Sequence, residues 1–170
     1  MQAIRIATAD MRTALLVLTC LFAGLLPPSV WAADGGPVGT WKTVDDKTGK
    51  EKALIEIRER SGVLHGRIVH LFDPSKPNPL CEKCEGERRD QPIRGLEVLW
   101  GLKPDGDHWS GGQILDPEEG QIYKASLRLA DGGEALEVRG YIGVSLLGRT
   151  QTWVRYTAAG AGRRANGEQP

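Results

Sequence analysis

Cys81 and Cys84, spaced by Glu82 and Lys83, offer the widest choice of chemistry in this chain. Two thiols at that spacing can close a disulfide, cycle as a redox couple, or give two thiolates to a tetrahedral zinc site that His70 or Asp73 would help complete. Redox pairs sit where a strand meets a helix N-terminus that lowers the thiol pKa. These cysteines instead stand in a proline-rich stretch, and Glu82 and Glu85 would raise it. No second ligand pair at zinc-finger spacing accompanies them, so no metal site is assigned. The disulfide is the leading reading.

His65, His70 and His108 are the only side chains whose unperturbed pKa suits proton transfer near neutrality. His65 and His70 are five positions apart in one strand pattern, which predicts opposite faces and rules out a shared proton. His108 follows a turn and reads as a solvated strand end. Ser145, in Gly143-Val144-Ser145-Leu146-Leu147, lacks the second glycine of a nucleophile elbow, because Leu147 takes its place. It reads as part of a glycine-bent turn. No phosphate loop, dinucleotide fingerprint, HExxH or EF-hand is present, so no cofactor is implied and an enzyme is disfavoured.

A polar and aromatic group remains. Tyr123, Arg139, Tyr141, Arg149 and Trp153 fall in the last three predicted strands, and Arg139 and Tyr141 share a face. Directed into a barrel, they would anchor the carboxylate or phosphate of a ligand. Directed outward, they would be ordinary cross-strand pairs. Trp41, Trp100, Trp109 and Trp153 read as core or barrel-end packing.

The elements that must position these residues are short and β-rich. Strands are predicted near 39–45, 51–60, 63–72, 94–103, 108–115, 121–129, 134–142 and 147–156. Ala53, Ile55 and Ile57 alternate with Glu56 and Arg58, and Leu127 and Leu129 alternate with Ser126 and Arg128, so one face of each strand is buried. Asp45–Gly49, Ser61-Gly62, Pro104–Gly106, Asp116–Gly120 and Asp131–Gly133 supply hairpin turns. Eight antiparallel strands joined this way leave two open edges unless they close. The expected fold is therefore all-β, an eight-stranded up-and-down barrel, with a two-sheet sandwich as the alternative. The exception to the short connections is Pro74–Pro92, which carries both cysteines and reads as a stapled loop at one mouth.

Residues 1–32 read as a secretory signal peptide: Ala14–Leu26 is almost wholly apolar, follows Arg12, and leads to a cleavage site near Ala32. Met11 offers an alternative start, which would make residues 1–10 an extension. Residues 33–38 form a short leader, 39–156 the barrel domain, and 157–170 a flexible tail. The expected address is secreted and periplasmic, where a disulfide persists, with no transmembrane segment after cleavage. Cleavage removes Arg5, Asp10 and Arg12 from a chain with 22 basic and 22 acidic residues. The near-neutral remainder gives no reason to expect a nucleic acid or an anionic membrane surface as partner.

Several segments carry a resemblance: Gly39-Thr40-Trp41, His65–Val69, Cys81–Arg88, Gly111–Tyr123, Val138–Gly143 and Leu147–Arg155. Together they resemble the secreted bacterial family catalogued as domain of unknown function family 2147. The resemblance implies kinship and address, and no established activity. A more distant one is to the calycins, the lipocalins and fatty-acid-binding proteins, whose first strand opens with Gly-x-Trp. It implies that Gly39 and Trp41 close the barrel bottom, with Arg155 packed across the indole.

The function expected from these readings is non-enzymatic binding of a small, partly apolar or amphipathic ligand inside a barrel. The alternative is an envelope interaction module that docks through the Pro74–Pro92 loop. Zinc or redox chemistry at Cys81 and Cys84 comes third.

Overall fold

The computed structural model describes residues 35–75 and 77–157. The expected signal peptide, the start of the leader and the tail beyond Thr157 lie outside the described residues. Eight strands follow in chain order: β1 (Gly39–Val44), β2 (Glu51–Arg60), β3 (Val63–Leu71), β4 (Glu97–Asp105), β5 (His108–Asp116), β6 (Gln121–Ala130), β7 (Ala135–Tyr141) and β8 (Gly148–Arg155). Each pairs antiparallel with its sequence neighbour, and β8 returns to β1, so the sheet is a closed barrel and not a sandwich.

The turn chemistry explains the hairpins. Ser61 and Gly62 both hold positive φ, 52° and 77°, the backbone that a two-residue hairpin turn demands. Asp45 builds the β1–β2 turn, where its carboxylate accepts from the amides of Lys47 and Thr48 and from the Thr48 hydroxyl. The Thr48 bonds are the main reason its carboxyl is held below the usual carboxylate pKa. Most strand ends fall within a residue of the sequence reading, and the largest difference is at β4. β4 begins at Glu97 and not at 94, because Gly95 takes a φ of 96° and its amide donates to the Ile68 carbonyl, which turns the chain before the strand starts.

The barrel interior is filled from its closed end upward. Trp41, Ile57, Leu64, Leu99, Leu102, Leu127, Leu136 and Trp153 are fully buried and belong to one apolar cluster. Gly66 sits among them because a Cβ there would crowd Leu99 and Ile55. At the seam, Trp41 pairs with Arg155 and Lys42 with Val154. The Arg155 guanidinium lies 4.2 Å from the Trp41 ring centroid. It also donates to the carbonyls of Gly36, Val38 and Gly133, while the indole Nε1 donates to the Pro37 carbonyl. The expected closure of the barrel bottom by these two residues is therefore present.

The Pro74–Pro92 loop is not a loose excursion. Leu80 and Pro92 form a β-bridge, the Cys81 amide donates to the Gln91 carbonyl, and Ile93 donates back to Pro79. Cys81 and Cys84 are joined in a disulfide and are both buried. The cystine packs on the outer wall, because Cys84, Arg88, Leu115 and Ile122 line one small concavity and Leu115 and Ile122 are cross-strand partners there. Gly120 is required beneath it, since any Cβ would collide with the Lys83 carbonyl. Arg88 completes the cover, its guanidinium 4.4 Å from the Trp100 ring centroid. The outer face of β4–β6 carries apolar side chains because this loop covers them, so the barrel has a second, external layer of core.

Candidate functional site

The strand directions put the turns 61–62, 106–107 and 131–133 at the closed end and the connections 45–50, 72–96, 117–120 and 142–147 at the other, open end. On the β5–β8 side the interior changes character between the closed end and the open mouth, while Thr43, Ala53 and Ile68 on the β1–β3 side stay buried. Leu127, Val138, Leu136 and Trp153 are buried below, whereas Ile114, Tyr123, Gly140 and Gln151 above them are only half-buried, and Arg149 is exposed. That upper arc is the candidate site.

Gly140 fixes which face is which. A Cβ on Gly140 would point at Ile114 and Tyr123, both 3.5 Å away, so Gly140, Ile114 and Tyr123 share the interior. The register then places Arg149, the partner of Gly140, and Gln151, the partner of buried Val138, on the same inner face. Arg139 and Tyr141 flank Gly140 and must point outward. They do share a face, as their spacing requires, but placing them inside the barrel as ligand anchors is incorrect. Arg139 donates to the Thr150 hydroxyl and to the Leu146 carbonyl, and Tyr141 sits opposite Lys124 on the outer wall. Trp153 is interior but lies in the solid core below the mouth. Of the five sequence candidates, the structure brings Tyr123 and Arg149 together at the mouth.

Two side chains that the sequence reading passed over complete the arc. Asp46, in the β1–β2 turn, accepts from the Arg149 guanidinium and, at 3.4 Å, from the Gln151 amide. Gln151 in turn accepts at 3.4 Å from the Trp153 indole. On the opposite side, the Tyr123 hydroxyl donates to Glu119 at 3.1 Å. Burial and then the Glu119 carboxylate raise the Tyr123 pKa above its ordinary value, and the charge of Arg149 acts the other way. The phenol therefore stays protonated across the physiological range. What results is an amphipathic rim: Ile114 and the Tyr123 ring are apolar, while Asp46, Arg149 and Gln151 form a polar cluster. Gln151 was legible as the residue that alternates with Arg149 and Trp153, whereas Asp46 reaches the site through a turn that no periodicity reveals.

The remaining sequence candidates lie elsewhere. His65 and His70 do not face opposite ways. Ile55 pairs with Ile68 and Leu54 with His70, so Val69 is an extra residue that resets the alternation. Both histidines consequently face outward, yet they do not meet: His65 is bonded to Glu97 at 3.1 Å, and His70 packs edge-on against Phe72. His108 stands between Asp105 and Asp107 at the closed end. The cysteines, joined and buried, offer no thiolates for zinc or for redox exchange at the surface. The Cys81 sulfur lies 3.4 Å from the Pro117 carbonyl, a packing contact, because a disulfide sulfur carries no proton to donate. Among the described residues no group of three or more metal-ligating side chains converges, and no helix is long and apolar enough to cross a membrane.

Comparison with solved structures finds the same architecture in protein HP1028 from the human pathogen Helicobacter pylori, described as belonging to the lipocalin family. The match has a TM-score of 0.64 at 20% identity and covers 74% of this chain and 86% of that one. At that identity the likeness is one of fold. No match is found among curated proteins. The barrel from its first strand to its last, residues 39–155, matches the family described as an uncharacterised protein conserved in bacteria, DUF2147, and the chain belongs to that family.

Proposed function

We propose that the protein is a non-enzymatic carrier or sensor that binds a small, partly apolar molecule at the open mouth of its barrel. The observation that carries this reading is the gradient on the β5–β8 side of the barrel, from buried side chains below to the amphipathic arc above, where Ile114, Tyr123, Gly140 and Gln151 are half-buried and Arg149 is exposed. A solid lower barrel excludes a ligand threaded along the whole lumen. It favours a compact one, with its apolar part against Ile114 and Tyr123 and its polar end at Asp46, Arg149 and Gln151. The lipocalin-like fold supports the reading by analogy only. Secretion to the periplasm is part of the proposal and rests on the apolar stretch Ala14–Leu26.

Gly140 provides the test. Its inward space is bounded at ordinary contact distance and its backbone is one that any residue adopts, so a side chain fits at the Cβ and then projects into the mouth. Gly140→Leu should leave the melting temperature unchanged or slightly raised. It should also abolish the co-purified molecule recovered by mass spectrometry after the protein is denatured and extracted. A parent protein that yields no such molecule, or a Gly140→Leu variant that yields as much as the parent, overturns the proposal.

A further inference from the structure

The connection between β7 and β8 carries an apolar surface that the proposed ligand site does not use. Ile142 and Val144 are each 62% exposed, Leu147 78% and Leu146 89%. These are four aliphatic side chains on one short loop, and the sequence from Gly140 to Gly148 contains no charge. Soluble surfaces seldom present aliphatic groups clustered this way without a use for them.

The loop is held in place. The Leu147 amide donates to the Val144 carbonyl, and Arg139 donates to the Leu146 carbonyl from the strand below. At the far side of the hairpin, Arg149 is tied to Asp46. The aliphatic groups therefore project from a fixed apex at the open end.

We infer that this apex docks the barrel mouth on a lipid bilayer by inserting Ile142, Val144, Leu146 and Leu147 below the headgroups. Three observations select that occupant. The surface is convex, the apex of a hairpin, and so cannot enclose a small molecule, which needs a concave site. It exposes on the order of 500 Å², below the roughly 800 Å² per partner that a stable protein interface buries, so a second copy or another folded protein is a poor fit. Finally, Arg139 and Lys124 stand just behind the apolar tip on the outer wall, with Tyr141 the cross-strand partner of Lys124 and two residues on from Arg139. Cations and an amphipathic aromatic one step behind an aliphatic tip match the phosphate and interfacial layers of a bilayer. The described ends of the chain, residues 35–38 and 155–157, lie at the closed end, away from this apex.

The test is co-sedimentation of the purified chain, its N-terminus read by mass spectrometry, with vesicles of phosphatidylethanolamine and phosphatidylglycerol. The parent should partition onto the vesicles. Leu146→Glu/Leu147→Glu should lower the partition coefficient at least about a hundredfold, as loss of two buried leucines implies, with the melting temperature unchanged. Val38→Glu, an exposed aliphatic at the other mouth, should bind as the parent does. Equal partition of the parent and the double variant overturns the inference, as does a parent that stays in solution. A parent that is dimeric by light scattering and becomes monomeric in the double variant also overturns it, and assigns the apex to self-association.

Discussion

Trp41→Ala should lower the unfolding free energy by about 3–5 kcal/mol, the cost of emptying a fully buried large aromatic site. For a domain of this size that corresponds to a drop in melting temperature of roughly 10–20 °C. The loss is large because the indole has three roles at once. It fills the closed end of the interior, it carries the Arg155 guanidinium on its face, and its Nε1 holds the Pro37 carbonyl. Arg155→Ala should cost less, about 2 kcal/mol, from the cation-π contact and from bonds to three carbonyls that are partly rehydrated once exposed. Arg155→Lys should recover little, because an ammonium cannot span Gly36, Val38 and Gly133 as the planar fork does. Urea denaturation of the three variants checks the order, and full recovery by lysine would show that charge alone closes the seam.

Cys81→Ser/Cys84→Ser should destabilise the domain by about 3–5 kcal/mol, far more than its short spacing suggests. The chain-entropy contribution of so small a ring is only about 2 kcal/mol. The remainder arises because both sulfurs are buried against the barrel wall, so the variant places two hydroxyls in apolar surroundings at about 1–3 kcal/mol, with the Pro117 carbonyl, 3.4 Å from the Cys81 sulfur, an acceptor for the hydroxyl at 81. Cys81→Ala/Cys84→Ala should then lie between parent and double serine. Thermal melts of the three proteins, with and without reductant, separate the two contributions. If double serine and double alanine are equally destabilised, burial contributes nothing and the ring alone matters.

These two cases show what the sequence made legible. Alternation in Ala53–Ile57 and Leu127–Leu129 and the glycine turns located the strands, because those signals are local, and the resemblance of Gly39-x-Trp41 to the calycins implied a closed end with Arg155 across the indole. What stayed hidden depended on register. Alternation divides Arg139, Gly140 and Tyr141 into two faces without saying which is inside, and the larger polar residues drew attention from the glycine that marks the interior. A single extra residue at Val69 reversed the expected relation of His65 and His70. Cys81 and Cys84 gave away their bond but not their burial, since the wall they cover is made by Leu115 and Ile122, whose outward direction reads as an exception until the loop is seen. The connection at Gly143–Leu147 was legible as a glycine-bent turn, but its exposed aliphatic groups were not, because the predicted strands on either side took in Ile142 and Leu147.

The order of the strands bears on how the barrel is made. Seven of its eight junctions join neighbours in the chain, and only β1 with β8 brings together its distant parts. Neighbouring hairpins form after short loop closures, whereas the last junction must gather the whole folded span, so it is expected to form late. Native-state hydrogen exchange should find the Tyr156 amide, bonded across that junction to Thr40, opening before the amides of the β2–β3 pair. Until that closure two strand edges stand bare, and the nascent protein is most exposed to misassembly at the moment before it becomes a ring.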